Sequence, residues 1–342
     1  MIINEFIDKI LGDVGAPLDS SGFWSRSDVL KATDYIQREI SRETKNILAV
    51  TATLEPAAAA TEITIDANNN FLEGVSAYRT YDSLTRPIDF YTSEQMRNYD
   101  VGWKTQTGTQ IRALITDIAS AEGKALIYPI PEDALNDIVV YYLKMATRVT
   151  AEFTEAGDAA NQVSNWLIQG ITSSNTATGY ILYWGLANVT TTRTVTLYKA
   201  ATMLTADKVA SGTRTGDGSI TLTEQNNSGI SGTVTVAYTV DDSTSANTLT
   251  FAVTEIPEAD IACLEYGVKA LMYNLEKDGK DQGKGNFWKG LYGGRTPDGL
   301  LTGELAAVAQ RANQRRGSTY NILKERGGNY EVITRPLYPW EA

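Results

Sequence analysis

The sequence predicts a mixed α+β protein, with helical segments towards both ends, short strands beside them and an all-β block between. Three observations predict this class. Apolar residues recur every three or four positions in residues 1–50 and 254–316, as amphipathic helices require. Short runs with a period near two fill residues 47–150 and 153–253. The composition, 342 residues with 42% hydrophobic and 21% charged, is that of a globular chain long enough for two domains.

Two helices are predicted before residue 45. The first has a single apolar stripe that ends at Gly12 and Gly15, formed by Ile2, Ile3, Phe6, Ile7, Ile10 and Leu11. The second begins at Ser25, a good N-cap residue, with Asp28 three positions later as in a capping box. Its predicted buried face consists of Val29, Thr33, Ile36 and Ile40.

Short strands are predicted between residues 47 and 150. The runs with strand character are 48–54, 61–65, 75–81, 86–91, 124–128 and 137–143. Asn68, Asn69 and Asn70 predict a turn, because asparagine tolerates left-handed backbone at low cost. A short helical turn is predicted at residues 93–96. Small β elements therefore accompany the helices.

Residues 153–253 differ from the rest of the chain. Threonine rises to roughly a fifth of the positions, and its β-branched, polar-tipped side chain suits the wet face of a half-buried sheet. About seven short runs are separated by turn clusters, a pattern that predicts a β-sandwich of immunoglobulin-like size. Since helical pattern flanks this block, we expect an insertion that leaves and rejoins the core near Thr150 and Thr254.

Helical pattern returns after the β block. Pro257 can occupy the first turn of a helix whose apolar stripe runs from Ile261 to Leu275. Residues 279–285 do not match a phosphate loop, which favours a flexible turn between helices, and Gly216-Asp217-Gly218 lacks the third glycine of a dinucleotide fingerprint. A further helix is predicted from Thr302, with Arg311, Arg315 and Arg316 in its last turns. The tail to Trp340 has no period and is expected to be disordered or to lie on a partner.

Composition excludes several kinds of chemistry. The chain has no histidine and one cysteine, Cys263, so it has no Ser-His-Asp or Cys-His site, no histidine-ligated zinc and no intrachain disulfide. Cys263 is expected to be a small buried hydrophobe. We predict no catalytic residues, no cofactor and no metal.

The N-terminal sequence and the net charge bear on localisation and on DNA binding. Glu5 and Asp8 interrupt the first apolar run and no basic region precedes it, which predicts no secretory signal and folding in a cytoplasm. No run is long enough to predict a membrane span. The net charge of −11, from 30 Lys and Arg against 41 Asp and Glu, argues against tight DNA binding.

Three features have alternative interpretations. Arg311, Arg315 and Arg316 fit a helix dipole, an acidic partner surface or, less well, DNA. Asp241 and Asp242 fit a calcium site or simply a solvated turn. The aromatic residues of the β block that fit either an open sugar-binding groove or the core of a sandwich are Trp166, Tyr183 and Trp184.

Three segments, in order along the chain, carry the pattern of a known family. The residues of the first segment that match are Trp24, Ser25, Asp28, Val29, Leu30, Gln37, Arg38, Glu39 and Ile40. The second is Tyr128-Pro129-Ile130-Pro131 followed by the strand at 137–143. The third is Glu255-Ile256-Pro257-Glu258, the apolar helix after it and the acidic turn at 277–281. Over about two-thirds of its length, the chain thus resembles the head-to-tail adaptor (connector) proteins of podovirus-like tailed phages.

The resemblance implies an α+β adaptor core with a helical bundle, formed by residues 1–152 and 254–342, into which residues 153–253 are inserted. In that family the second segment leads almost directly into the third, so the β insert departs from the pattern. The implied function is structural, without enzymatic activity. A ring, commonly of twelve copies, lies below the portal protein in the virion neck and extends the DNA channel towards the tail after assembly in the host cytoplasm.

The resemblance also implies which residues make contacts. A C-terminal docking arm would lie on the portal, and its expected residues are Arg311, Arg315, Arg316, Tyr330, Arg335, Leu337, Tyr338 and Trp340. The residues expected in the core helix and in ring packing are Trp24, Val29, Ile36, Arg38, Glu39 and Ile40. The β insert is expected to contact tail nozzle, tube or fibre proteins, and genomic DNA to pass without sequence-specific binding. The alternative is a virion surface protein that binds or degrades glycans through the β insert.

Overall fold

The computed structural model has a mixed α+β fold, which confirms the predicted class. The residues that it describes are 1–16, 23–81, 83–117, 123–156, 164–167, 183–185, 192–198, 208–215, 223–224, 235–240, 247–275, 280–315, 319–326 and 329–336. The α-helices among these residues are α1 (Ile3–Asp13), α2 (Arg26–Thr44), α3 (Ser93–Tyr99), α4 (Ile261–Asn274), α5 (Gln282–Tyr292) and α6 (Gly303–Arg315). A 3₁₀ turn over Glu258–Asp260 leads directly into α4.

Five sheets are described. The strands of the largest, in spatial order, are β1 (Leu48–Val50), β9 (Asp137–Lys144), β3 (Phe71–Tyr81), β4 (Leu84–Tyr91), β6 (Ala113–Ile115), β7 (Lys124–Tyr128) and β2 (Glu62–Thr64). The strands of the second, in spatial order, are β10 (Phe153–Ala156), β17 (Asn247–Phe251), β16 (Thr235–Val240), β13 (Thr192–Tyr198), β14 (Lys208–Thr215) and β15 (Thr223–Glu224). The paired strands of the other three are β5 (Thr107–Gly108) with β8 (Ile130–Pro131), β11 (Ser164–Leu167) with β12 (Tyr183–Gly185), and β18 (Thr319–Arg326) with β19 (Asn329–Pro336).

The chain divides into two compact units. Unit 1 comprises Met1–Ile36, Arg148–Thr254 and Leu264–Gly290. Unit 2 comprises Gln37–Thr147, Glu255–Cys263 and Leu291–Ala342. The domain boundaries expected from the sequence, at 152/153 and 253/254, stay predictions.

In unit 1, α1 buries one apolar face. Its predicted stripe is confirmed, because each of the stripe's side chains is at most 1% exposed. The backbone N–H of Ile3 donates to Ala252 O at 2.8 Å, so the helix begins beside the six-stranded sheet. Phe153 pairs with Phe251 in that sheet, and the chain therefore enters and leaves it on adjacent strands.

The sheet of unit 2 buries side chains on both of its faces. On one face, Leu114 belongs to a core cluster with residues such as Phe71, Ile88 and Ile138. On the other, the flanking residues Ala113 and Ile115 join Met96, Trp103 and Tyr128. All three residues of β6 are consequently buried, as the alternation of side chains along a strand requires when both faces are covered.

The predicted turn at 279–285 was wrong for its second half, because Gln282 already begins α5. Glycine costs about 1 kcal/mol inside a helix, yet here close packing requires it. A Cβ on the buried Gly285 would lie 2.6 Å from Asn274 Oδ1. Further along α5, the Trp288 ring stacks on Tyr266 with centroids 5.6 Å apart. Tertiary packing thus outweighs the local preference of these glycines.

The C-terminal tail also differs from its expectation. Residues 319–336 form the antiparallel pair β18 and β19, in which Arg326 pairs with Asn329 and Thr319 with Pro336. Gly327-Gly328 between two runs of strand-forming residues was the available sequence signal for a hairpin. Pro336 lies at the last position of β19, where a missing backbone donor costs least.

Candidate protein-interaction surface

The predicted arginines of α6 converge on one buried carboxylate. Arg311 and Arg315 are one helical turn apart, so their side chains leave the same face of α6. Arg311 Nε donates to Asp260 Oδ1 and Arg315 Nη2 to Asp260 Oδ2, each at 2.8 Å. The Asp260 side chain is fully buried, whereas those of Arg311 and Arg315 are about one-third exposed. Two guanidinium groups therefore neutralise a carboxylate that water does not reach.

A second carboxylate completes this cluster, which we call the Asp260 cluster (Asp260, Glu304, Arg311 and Arg315). Arg311 Nη2 donates to Glu304 Oε1 at 2.6 Å. The hydrogen bonds to Glu304 and then to Asp260 raise the pKa of Arg311. Within this cluster the charges sum to zero. Acids of the chain itself thus pair with Arg311 and Arg315, while the helix-dipole, acidic-partner and DNA interpretations stay predictions.

Local sequence explains why Asp260 lies where it does. Pro257 precedes the 3₁₀ turn, and the Asp260 backbone N–H closes the turn by donating to Pro257 O at 2.8 Å. Asp260 thus immediately precedes α4, where a negative charge interacts favourably with the helix dipole. Sequence reasoning missed it, although an acidic residue in the first turn after proline was the available signal.

Cys263, one turn after Asp260, is a buried thiol. Its side chain is fully buried and belongs to no disulfide, as expected from the sequence. Burial first, and then the negative charges of Glu304 and Asp260, raise the pKa of its thiol. The thiolate needed for nucleophilic or metal chemistry is therefore strongly disfavoured.

Two openings flank α6. A groove of about 880 Å³ is lined by Arg295, Gly299, Leu300, Leu301, Ala306, Ala309, Gln310, Asn313 and Gln314. A second cavity, of about 440 Å³, is lined by Lys45, Asn46, Leu48, Leu143, Pro257, Glu258, Ala259, Ala312 and Arg315. Leu300 at the groove is 69% exposed and Leu48 at the cavity is 48% exposed. These apolar, open surfaces suit contact with a protein better than enclosure of a substrate.

The predicted core-helix residues lie inside the chain or form bonds within it. Trp24 and Ile36 are 4% exposed, and Val29 and Ile40 are fully buried. Trp24 packs edge-on against the ring of Tyr273 at 5.2 Å. These four side chains therefore belong to the core. Whether they also contribute to contacts between copies in a ring stays a prediction.

The two charged members of that set, Arg38 and Glu39, also bond within the chain. Arg38 Nη1 donates to Ala146 O at 2.8 Å and to Asn70 Oδ1 at 3.1 Å. Glu39 Oε2 accepts from the Tyr292 hydroxyl at 3.0 Å. Both side chains therefore tie α2 to other parts of unit 2.

Several predicted contact residues are described in part or not at all. Tyr330 and Arg335 lie in β19, opposite Glu325 and Tyr320. Those that lie outside the described residues are Arg316, Leu337, Tyr338, Trp340, Asp241 and Asp242. Trp166 lies in β11, and Tyr183 and Trp184 lie in β12, which pair as antiparallel strands. A sugar-binding role for those aromatic residues stays a prediction.

The ion pair between Glu43 and Arg295 makes the stability of the fold depend on pH in a testable way. Arg295 donates to Glu43 Oε2 through Nη2 at 2.7 Å and through Nε at 3.1 Å, and these hydrogen bonds lower the pKa of Glu43 below its ordinary 4.5. A lowered folded-state pKa stabilises the fold above pH 4.5, and this stabilisation disappears as pH falls through the folded-state value. We expect Glu43→Gln to reduce the free energy of unfolding at pH 7 by about 0.5–1 kcal/mol.

The check is urea unfolding at several pH values. The difference between wild type and Glu43→Gln should shrink steadily below pH 4.5, whereas Glu55→Gln, a matched change at an exposed position between β1 and β2, should leave the curve unchanged. A difference that stays constant from pH 7 to pH 3 would contradict the assignment.

No protein-family model matches this chain, and a search of curated proteins finds no match. None of the helices that the structure describes combines the length and apolar character that crossing a membrane requires. Among the same residues, no cluster of three or more Cys, Asp or Glu side chains is arranged to hold a metal ion.

Proposed function

We propose that this chain is a structural, non-enzymatic head-to-tail adaptor of a phage virion. It forms a ring of twelve copies below the portal protein, extends the DNA channel and attaches the tail. Its finer architecture in this proposal is a helical-bundle adaptor core with an inserted immunoglobulin-like sandwich at residues 153–253. The insert contacts tail nozzle, tube or fibre proteins.

The observation that carries the proposal is the order of the three adaptor-like segments on regular elements. The first segment runs through most of α2, and the second leads from the end of β7 through β8 into β9. The third provides Pro257 and Asp260 ahead of α4. Each segment thus has a distinct structural role, as is expected when a sequence pattern reflects a shared fold.

The Asp260 cluster supports a revised view of the docking arm. Arg311 and Arg315 pair with acids of the chain, so in our proposal they hold the end of α6 in place. In our proposal, residues after α6 make the direct contacts with the portal. These residues are Arg316, Tyr330, Arg335, Leu337, Tyr338 and Trp340. Aromatic and arginine side chains are the types that dominate binding energy at protein interfaces.

The net charge supports the proposed channel. Repeated around a ring, a chain of charge −11 creates a strongly negative potential near the lumen. This potential repels phosphate groups, so DNA can pass without binding.

Co-sedimentation with the cognate portal ring tests the proposal. We expect the full chain to co-sediment, and deletion of residues 330–342 to abolish binding. The double variant Tyr338→Ala and Trp340→Ala should weaken binding at least roughly tenfold, because each residue is a candidate hot spot. Tyr99→Ala, which changes an exposed aromatic residue of α3, is the matched control and should bind normally.

A chain that stays monomeric and binds no portal would refute the adaptor function. The glycan alternative would then be tested on the full chain with a sugar-binding screen. A saturable signal that Trp184→Ala abolishes would support the alternative.

A further inference from the structure

Two arginines face each other across neighbouring strands of the large sheet. Arg79 on β3 is the direct cross-strand partner of Arg86 on β4. On its other side, Arg79 pairs with Ile138 of β9, which is fully buried. Like charges placed directly opposite each other destabilise a sheet. Arg86 is exposed, so water screens part of this repulsion, and a bound anion would relieve more of it.

The side chain of Arg79 is itself buried and incompletely bonded. The residue is 7% exposed, and its Nη2 donates to Gln110 Oε1 at 2.7 Å. Its Nε is buried and has no hydrogen-bond acceptor in the described structure. A buried donor without an acceptor is costly, and a buried charge without a counter-charge is costlier still.

A third arginine adds to the positive charge. Burial lowers the pKa of Arg79, and the charges of Arg86 and Arg112 lower it further. The chain has 11 more acidic than basic residues, yet no carboxylate in the part of the chain that the structure describes forms an ion pair with any of these three arginines.

A polar cavity is lined in part by Arg112. Its volume is about 400 Å³, and its lining residues are Gln106, Thr107, Gly108, Thr109, Gln110, Arg112, Tyr128 and Pro129. Gln110 links the cavity to Arg79 through the hydrogen bond above. Two carboxylates near it are engaged with hydroxyl groups: Glu132 accepts from Thr107 Oγ1 at 3.0 Å, and Asp100 from the Tyr128 hydroxyl at 3.1 Å.

We propose that Arg79, Arg86 and Arg112 form a binding site for a phosphate group, the arginine site. A phosphate dianion neutralises more of the triple positive charge than one carboxylate does. Its several oxygens can accept from more than one guanidinium group, and from the hydroxyl and amide donors of the cavity. The group is either free phosphate or part of a phosphate ester. This inference is independent of the proposed adaptor function.

Calorimetric titration of the full chain with inorganic phosphate, at constant ionic strength, tests the arginine site. We expect saturable binding that weakens at least roughly tenfold in the double variant Arg86→Gln and Arg112→Gln, because two of three charged donors are lost. Both positions are exposed, so the fold should tolerate the changes. Arg97→Gln, at an exposed arginine of α3, is the matched control and should bind like wild type.

Thermal unfolding gives an independent readout. In phosphate-free buffer, Arg86→Gln should raise Tm by about 1–2 °C, because it removes the repulsion with Arg79. The same variant should lose most of the further Tm increase that phosphate causes in wild type. A merely structural arginine would instead lower Tm when replaced.

Two further titrations identify the source of the phosphate. Tighter binding of inorganic phosphate than of adenosine monophosphate indicates a free ion. Tighter binding of a short single-stranded oligonucleotide, with a steep salt dependence, indicates a nucleic-acid backbone. No saturable binding of any of the three probes would overturn the proposal, as would equal binding by wild type and the double variant.

Discussion

Replacing Arg26 with methionine is expected to lower the free energy of unfolding by about 4 kcal/mol. Arg26, at the start of α2, is 8% exposed and binds acids from two other parts of unit 1. Its Nη2 donates to Glu152 Oε2 and to Asn4 Oδ1, each at 2.6 Å, and its Nη1 donates to Asp8. Methionine keeps much of the volume but leaves two largely buried carboxylates without their counter-charge.

The pH dependence of this loss distinguishes charge from packing. Burial raises the pKa of Asp8 even with Arg26 present, and the charge of Glu152 raises it further. Without Arg26, we expect the folded-state pKa of Asp8 to rise further above its unfolded value, because the charge and hydrogen bond of Arg26 lower it. A raised carboxyl pKa favours the fold at low pH, so the deficit of the variant should shrink as pH falls below about 5.

Urea unfolding followed by circular dichroism measures the effect of this substitution. Arg42→Met is the matched control, since Arg42 lies on the same helix with its side chain 58% exposed. An exposed ion pair contributes little, so the control should change stability by less than about 1 kcal/mol. Equal losses in the two variants, or a deficit for Arg26→Met that is independent of pH, would contradict this account.

The second large effect is expected for Asp260→Asn, at about 3 kcal/mol. The substitution keeps the shape of the side chain but removes the charge that Arg311 and Arg315 share. Both guanidinium groups are about one-third exposed and can recover some hydration, which makes this loss smaller than that for Arg26. The end of α6 should loosen as well, because both arginines connect it to the turn before α4.

Unfolding measurements and hydrogen exchange check this second prediction. Amide protons of α6 should exchange faster in Asp260→Asn than in wild type. Glu258→Gln, an exposed position two residues earlier in the same turn, is the matched control and should leave both measurements unchanged. Unaltered exchange in α6 together with a loss below about 1 kcal/mol would show that the Asp260 cluster contributes little.

Local pattern was sufficient for most of the regular elements. The strand at 124–128 was predicted with its observed ends, and α1 and α2 follow from three- and four-residue spacing, to which α2 adds a recognisable cap. In α2, Ser25 Oγ donates to Asp28 Oδ2 at 2.8 Å, and the Ser25 backbone N–H does the same at the same distance. Caps and helical periodicity depend on residues a few positions apart, so they can be recognised in the sequence alone.

Elements whose stability depends on distant contacts were missed. α5 contains glycines that local preference assigns to a turn, and β6 has three residues, too few for a period. β6 is stable because β4 and β7 pair with it and both of its faces are buried. Packing against residues that are distant in the sequence cannot be read from the local sequence pattern.

The charged residues show the same division most clearly. By itself the sequence determined the fold class, the helical stripes and the presence of arginines near the end of α6. Only the tertiary structure decided that Arg311 meets Asp260, 51 residues away, that Arg26 meets Glu152, 126 residues away, and that Arg79 faces Arg86. The physical reason is range: helix and strand preferences act over a few residues, whereas the energy of a charge depends on which groups the whole fold brings within a few ångströms of it.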